Sequence, residues 1–137
     1  MAEEILVKEV LTDQMIAAGA ELVRSLDRDG WPVVASLWLF EPENNQWRLV
    51  LASPAVPESG PREAYRLISE ALQAVNSALS LGNVSVVSPQ DPLIRALASA
   101  YRTSREIEGR RVSRGAINGH FVEDAYVYRL LPLTPAA

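Results

Sequence analysis

Residues 33–52 hold the feature that most restricts what this chain can fold into. Val33 to Phe40 is almost continuously apolar, and Trp47 to Ala52 mixes apolar residues with Arg48. Between them Glu41-Pro42-Glu43-Asn44-Asn45-Gln46 is a polar turn segment. Two strand-length runs joined in this way read as a hairpin. With Phe40 opposite Trp47, one face carries Trp38, Phe40, Trp47, Leu49 and Leu51, and the other Ala35, Leu37, Leu39, Val50 and Ala52. A hairpin with one face in water alternates apolar and polar residues. This one does not, so both of its faces need cover, from the rest of the chain or in part from a second molecule.

The remaining elements follow from periodicity and punctuation. Thr12 suits a helix N-cap with Asp13 in the first turn, and Met15, Ile16, Gly19, Leu22, Val23 and Leu26 recur at three- and four-residue steps, which predicts a helix over 12–29. Asp29-Gly30 and Pro32 stop it. Residues 53–60 read as a loop containing Pro54 and Pro57. Pro61 fits a first helical position, and Ala64, Leu67, Ile68, Ala71, Leu72, Val75 and Leu79 predict a second helix over 61–80, ended by Gly82-Asn83. Val84 to Ser88 reads as a short strand. Asp91-Pro92 starts a third helix over 92–103, with Leu93, Ile94, Leu97, Ala98 and Tyr101 on its apolar side.

Asn118-Gly119 between Arg110–Ile117 and His120–Leu130 is a strong hairpin signal, because a type I′ turn needs positive φ at both central residues. A two-residue loop sets Ile117 against His120, Arg114 against Glu123, Ser113 against Asp124 and Arg111 against Tyr126. The order α-β-β-α-β-α-β-β defines an α+β fold with a mixed, mainly antiparallel sheet of about five strands and three helices, expected on one side of the sheet. At 137 residues the chain reads as a single domain over 1–137, with an N-terminal segment 1–11, a folded core 12–130 and a short tail 131–137. The helix–hairpin–helix opening, including Ala35-Ser36-Leu37-Trp38-Leu39-Phe40, resembles in layout small sensory domains of the GAF type over about half the chain. No motif residue accompanies that layout, and no site residue is carried across from it.

Composition removes much chemistry. There is no cysteine, which excludes disulfides, thiolate metal sites and thiol nucleophiles, and there is one histidine, His120, and one lysine, Lys8. No phosphate-binding glycine loop or nucleophile motif is present. His120 alone makes a zinc site improbable, and Glu123 and Asp124, adjacent on a strand, point to opposite faces and do not favour a shared magnesium ion. Neither a metal site nor a cofactor is implied. The formal charge of −4 does not favour nucleic acid or a membrane surface as partner. No basic stretch leading into an apolar core marks a signal peptide, and no apolar run approaches the ~20 residues of a membrane helix, so a cytoplasmic setting is expected. Twelve arginines to one lysine, with many alanines and prolines, fit a GC-rich bacterial genome.

Two clusters stand out. Arg102, Arg105, Arg110, Arg111 and Arg114 lie close together in an otherwise acidic chain, with Tyr101, Tyr126 and Tyr128 near enough to stack. Guanidinium forks bind phosphate and carboxylate, so Arg105, Arg110, Arg111, Arg114 and Tyr126 are the candidate residues of an anion, nucleotide or RNA site. The bland alternative is a solvated strand face neutralised by Glu123 and Asp124. The second cluster is Trp38, Phe40, Trp47 and Leu49, either a core group or the seam of a protein interface. The reading favoured is a non-enzymatic domain acting by protein association, as a homodimer or as a dock for a partner protein, through that hairpin face. Anion binding by the arginine cluster is the alternative, and a hydrolase using His120 and carboxylates a weaker one.

Overall fold

The computed structural model describes residues 8–101, 103, 106–117 (the backbone alone at Arg114) and 119–132. A five-stranded sheet in the order β3-β2-β1-β5-β4 forms the centre. Its strands are β1 (Ala35–Glu41), β2 (Gln46–Ala52), β3 (Val84–Val87), β4 (Arg110–Ile117) and β5 (His120–Leu130). All neighbours are antiparallel except β2 and β3, which are parallel because a helical crossover joins them. The helices are α1 (Asp13–Arg28), α2 (Ala55–Ser59), α3 (Pro61–Ala74) and α4 (Pro92–Ala100). The α+β class and the mixed, mainly antiparallel sheet agree with the sequence reading.

Helix placement differs. The helices lie on both sides of the sheet. Trp38, Phe40, Trp47, Leu49 and Leu51 share a core with Leu22, Val23 and Leu26 of α1 and Ala64, Ile68 and Leu72 of α3. Leu37, Val50, Ala35 and Ala52 share another with Ile94 and Leu97 of α4. The hairpin is apolar on both faces for this reason: its own chain covers both. Cover on the α4 side is less complete, since α4 has only nine residues. Toward β3, Leu39, Val87 and Leu93 stay half-buried around a groove that Arg48 and Glu41 border.

Local chemistry fixes the helix ends. Thr12 Oγ1 accepts from Met15 N at 3.1 Å, and Asp91 Oδ1 accepts from Leu93 N at 3.0 Å with Pro92 at the first helical position. The helix expected over 61–80 ends at Ala74, six residues early. Asn76 adopts φ +50°, its amide bonds Gln73 O at 3.1 Å, and the Ser77 amide bonds Leu72 O at 2.9 Å. This is a Schellman ending with asparagine in the left-handed position usually held by glycine. The segment expected as a loop over 53–60 contains the single-turn helix α2, which buries Val56.

One irregularity organises the centre of the fold. Leu37 faces Val127 but Ser36 faces Arg129, so Tyr128 is an extra residue in β5. The bulge turns both Tyr128 and Arg129 toward α1. Tyr128 Oη accepts from Trp38 Nε1 at 2.8 Å and donates to Ile16 O at 2.5 Å. Burial pushes its phenol well above the ordinary value, so it remains a donor across the physiological range. Both groups reach α1 because residue 19 is glycine. A Cβ there would lie 2.8 Å from Trp38 Nε1 and closer still to Tyr128 Oη. Arg129, 3% exposed, pairs bidentately with Asp27 (3.0 and 2.8 Å) and donates to Val33 O at 3.0 Å.

Candidate functional site

The four residues expected to form a protein seam lie inside the chain. Trp38 and Leu49 are 0% exposed, Phe40 6% and Trp47 5%. The physical reason is the cover given by α1 and α3, with residues 8–11 laid across the end of the hairpin. The structure therefore does not present these side chains to a second molecule, and the expected seam at Trp38, Phe40, Trp47 and Leu49 is corrected to a core.

Residues 8–11, the described part of the N-terminal segment, are anchored there. Leu11 is buried, Trp47 Nε1 donates to Glu9 O at 2.8 Å, and the Glu9 amide donates to Asn45 Oδ1 at 2.9 Å. Lys8 Nζ lies 4.6 Å from the Phe40 ring centre and 2.7 Å from Asp124 Oδ2. Arg111 forks onto the same carboxylate at 2.6 and 2.7 Å, with its guanidinium 5.3 Å from the Trp47 ring centre. Asp124 is thus the hub of a small cationic–aromatic cluster. Burial pushes its carboxyl up, but the hydrogen bonds from Arg111 and Lys8 and their charges outweigh this and hold it below the usual carboxylate range.

A carboxyl whose folded value lies below its unfolded one stabilises the fold fully above the unfolded value and loses that contribution as pH falls through the folded one. The stabilisation by Asp124 is therefore expected to be complete above about pH 5 and to fade below about pH 4. Urea unfolding of the wild type and of Asp124→Asn is expected to give well-separated midpoints at pH 7 that converge toward pH 3. A gap that stays constant over that range would contradict this assignment.

The two described side chains of the arginine cluster, Arg110 and Arg111, do not converge. The expected hairpin register is observed, with Ile117 against His120, Ser113 against Asp124 and Arg111 against Tyr126. Neighbouring strand residues take opposite faces, so Arg110 turns away from Arg111 and stacks 4.9 Å from the Tyr101 ring centre. Tyr126 is half-buried, in edge contact with Tyr128 at 5.5 Å, and leaves no room for a Cβ at Gly109. Arg102, Arg105 and the side chain of Arg114 lie outside the described residues. His120 is half-buried at the start of β5, in a depression lined by Gln90, Pro92, Arg95, Ala96 and Ser99, none of them acidic. The carboxylate partner that a hydrolytic role needs is not in that set. Among the described residues no three His, Asp or Glu side chains are grouped as a metal site, and no helix is long and apolar enough to cross a membrane.

The two edges of the sheet differ, which the sequence reading missed. At β3 the Val86 amide donates to Tyr65 Oη of α3 at 3.2 Å, so a side chain takes one amide of that four-residue edge. At the other margin β4 is eight residues long, and among the described residues no strand pairs with its outer side. Phe121, cross-strand from the exposed Ala116, is 66% exposed. The sequence signal for this was the position of the Asn-Gly hairpin at the end of the chain, which makes one of its strands an edge.

No family model, curated protein or solved structure matches this chain. The GAF-type layout resemblance gains no support from these comparisons.

Proposed function

We propose that this chain is an association domain that adds the strand of a second molecule of the same chain to the outer edge of β4, in a cytoplasmic setting. The observation that carries this reading is the contrast between the four-residue β3 edge, one of whose amides Tyr65 takes, and the eight-residue edge at β4. Unpaired amides and carbonyls on a strand of that length are a template for another strand. A two-residue hairpin bonds the pair flanking its turn, here Ile117 and His120, and bonded pairs recur at every second residue. The amides of Arg110, Val112, Arg114 and Ala116 then face away from β5. The exposed Phe121 lies one strand in from that edge, cross-strand from Ala116.

Ala116→Pro tests the reading. It removes one outward amide at an exposed position without touching the bonds to β5, and edge strands tolerate proline there. Sedimentation over a concentration series is expected to give an assembling wild type, an assembling Ala116→Ser control and a monomeric Ala116→Pro of near-unchanged thermal stability. A wild type that stays monomeric throughout, or a proline variant that assembles like it, overturns the proposal.

A further inference from the structure

We infer that the strand added at β4 is β4 of the second copy, running antiparallel, with the two-fold axis through Ser113; this rests on the association reading above. Bonded pairs across the new seam need outward amides on both strands, so each of residues 110, 112, 114 and 116 must meet another of that set. Under a two-fold axis this restricts the centre to a residue rather than a gap between residues. The arginines then choose among centres, because like charges directly opposite are destabilising. Centring on Arg111 or Arg114 sets that arginine against its own copy. Centring on Val112 sets Arg110 against Arg114. Centring on Gly115 avoids arginine pairs but leaves only 113–117 paired.

Centring on Ser113 pairs 110–116 in full and puts no arginine opposite another. Arg110 meets Ala116, Arg111 meets Gly115, Val112 meets Arg114, and Ser113 meets its own copy. Arg111 keeps its fork on Asp124 in this arrangement, since Gly115 presents no side chain against it. Arg110 of the second copy comes beside Ala116 and, one strand further, the exposed Phe121. Each partner uses the same residues, so the contact closes on itself.

Ser113 is exposed, and its amide faces β5, so the Ser113 pair across the axis is of the non-bonded kind with Cα atoms about 4.5 Å apart. That spacing suits a disulfide. The chain has no cysteine of its own, which makes a single introduced thiol a clean probe. Ser113→Cys under mild oxidation is expected to convert most of the protein to a covalent dimer on a non-reducing gel. Ala116→Cys should stay monomeric on that gel, because in this register the two copies of residue 116 are six residues apart along the seam. Cross-linking of Ala116→Cys but not Ser113→Cys overturns the register. Failure of both in a chain that assembles, and whose assembly Ala116→Pro abolishes, overturns the pairing of β4 with itself. Either result leaves strand addition at the edge standing, whereas an assembling Ala116→Pro removes that edge and this inference with it.

Discussion

Replacing Asp27 with alanine is expected to destabilise the fold by about 3 kcal/mol, at the lower end of the ~3–5 kcal/mol that follows from breaking a buried ion pair. The reason lies with its partner. Arg129 is almost wholly buried, cannot shed its proton, and already has one guanidinium nitrogen, Nε, without a hydrogen-bond partner. Asp27 is the only charged group bonded to it among the described residues, through both oxygens. Without that carboxylate an uncompensated charge remains inside the protein. The lower end applies because the Asp27 side chain is 33% exposed and water can reach that side. Urea unfolding monitored by tryptophan fluorescence would measure the loss. Asp27→Ala combined with Arg129→Met should recover most of it, since the pair as a whole stabilises little relative to apolar residues of similar size. If the single substitution moves the midpoint no more than an ordinary surface change, Arg129 does not depend on Asp27.

Gly19→Ala is expected to run against helix propensity. In an exposed helix interior the change stabilises by about 1 kcal/mol. Here the new methyl group would occupy the space where Trp38 Nε1 and Tyr128 Oη meet α1, and overpacking of a close-packed core costs about 1–3 kcal/mol. The net expectation is a loss. Tyr128→Phe alone leaves the buried Trp38 N–H without its acceptor, a loss of about 1–3 kcal/mol by itself. It also removes the nearest clashing atom. In that background Gly19→Ala should therefore cost less than in the wild type, a coupling that a double-mutant cycle reads directly. Additive effects would mean that the helix and the tyrosine adjust independently.

Much of the fold could be read from local signals, and the failures share a cause. Thr12, Pro61 and Asp91-Pro92 mark helix starts through interactions a few residues long, and the Asn-Gly turn fixed the register of β4 and β5. The two-faced hairpin correctly announced that both its sides would be dry. It could not say which element dries them, because coverage depends on contacts far apart in sequence. Placing all the helices on one side leaves the other face short of cover, and that is what makes Trp38, Phe40, Trp47 and Leu49 suggest a seam. The bulge at Tyr128, and with it the Asp27–Arg129 pair, arises from how β5 meets β1 and has no local mark. Gly19 did have one. A glycine amid a helical stripe sacrifices helix stability, and close approach by a neighbour is the usual compensation.

Of the candidate site, the arginine run is legible in the sequence, and so is its division, because strand alternation puts Arg110 and Arg111 on opposite faces. Arg111 found Asp124 and Arg110 found Tyr101, on opposite faces. Lys8 gave no hint of its place, since its partners Asp124 and Phe40 lie far from it in sequence. The edge at β4 follows from strand order, which becomes known only when the last hairpin is placed beside β1.

The phenol of Tyr65, sitting over the rim of the shortest strand, has a consequence for size. With the Val86 amide taken by that phenol, this rim offers an incoming strand one donor fewer. If copies pair through β4 as proposed above, a contact that uses the same residues on both partners closes at two rather than growing into a fibre.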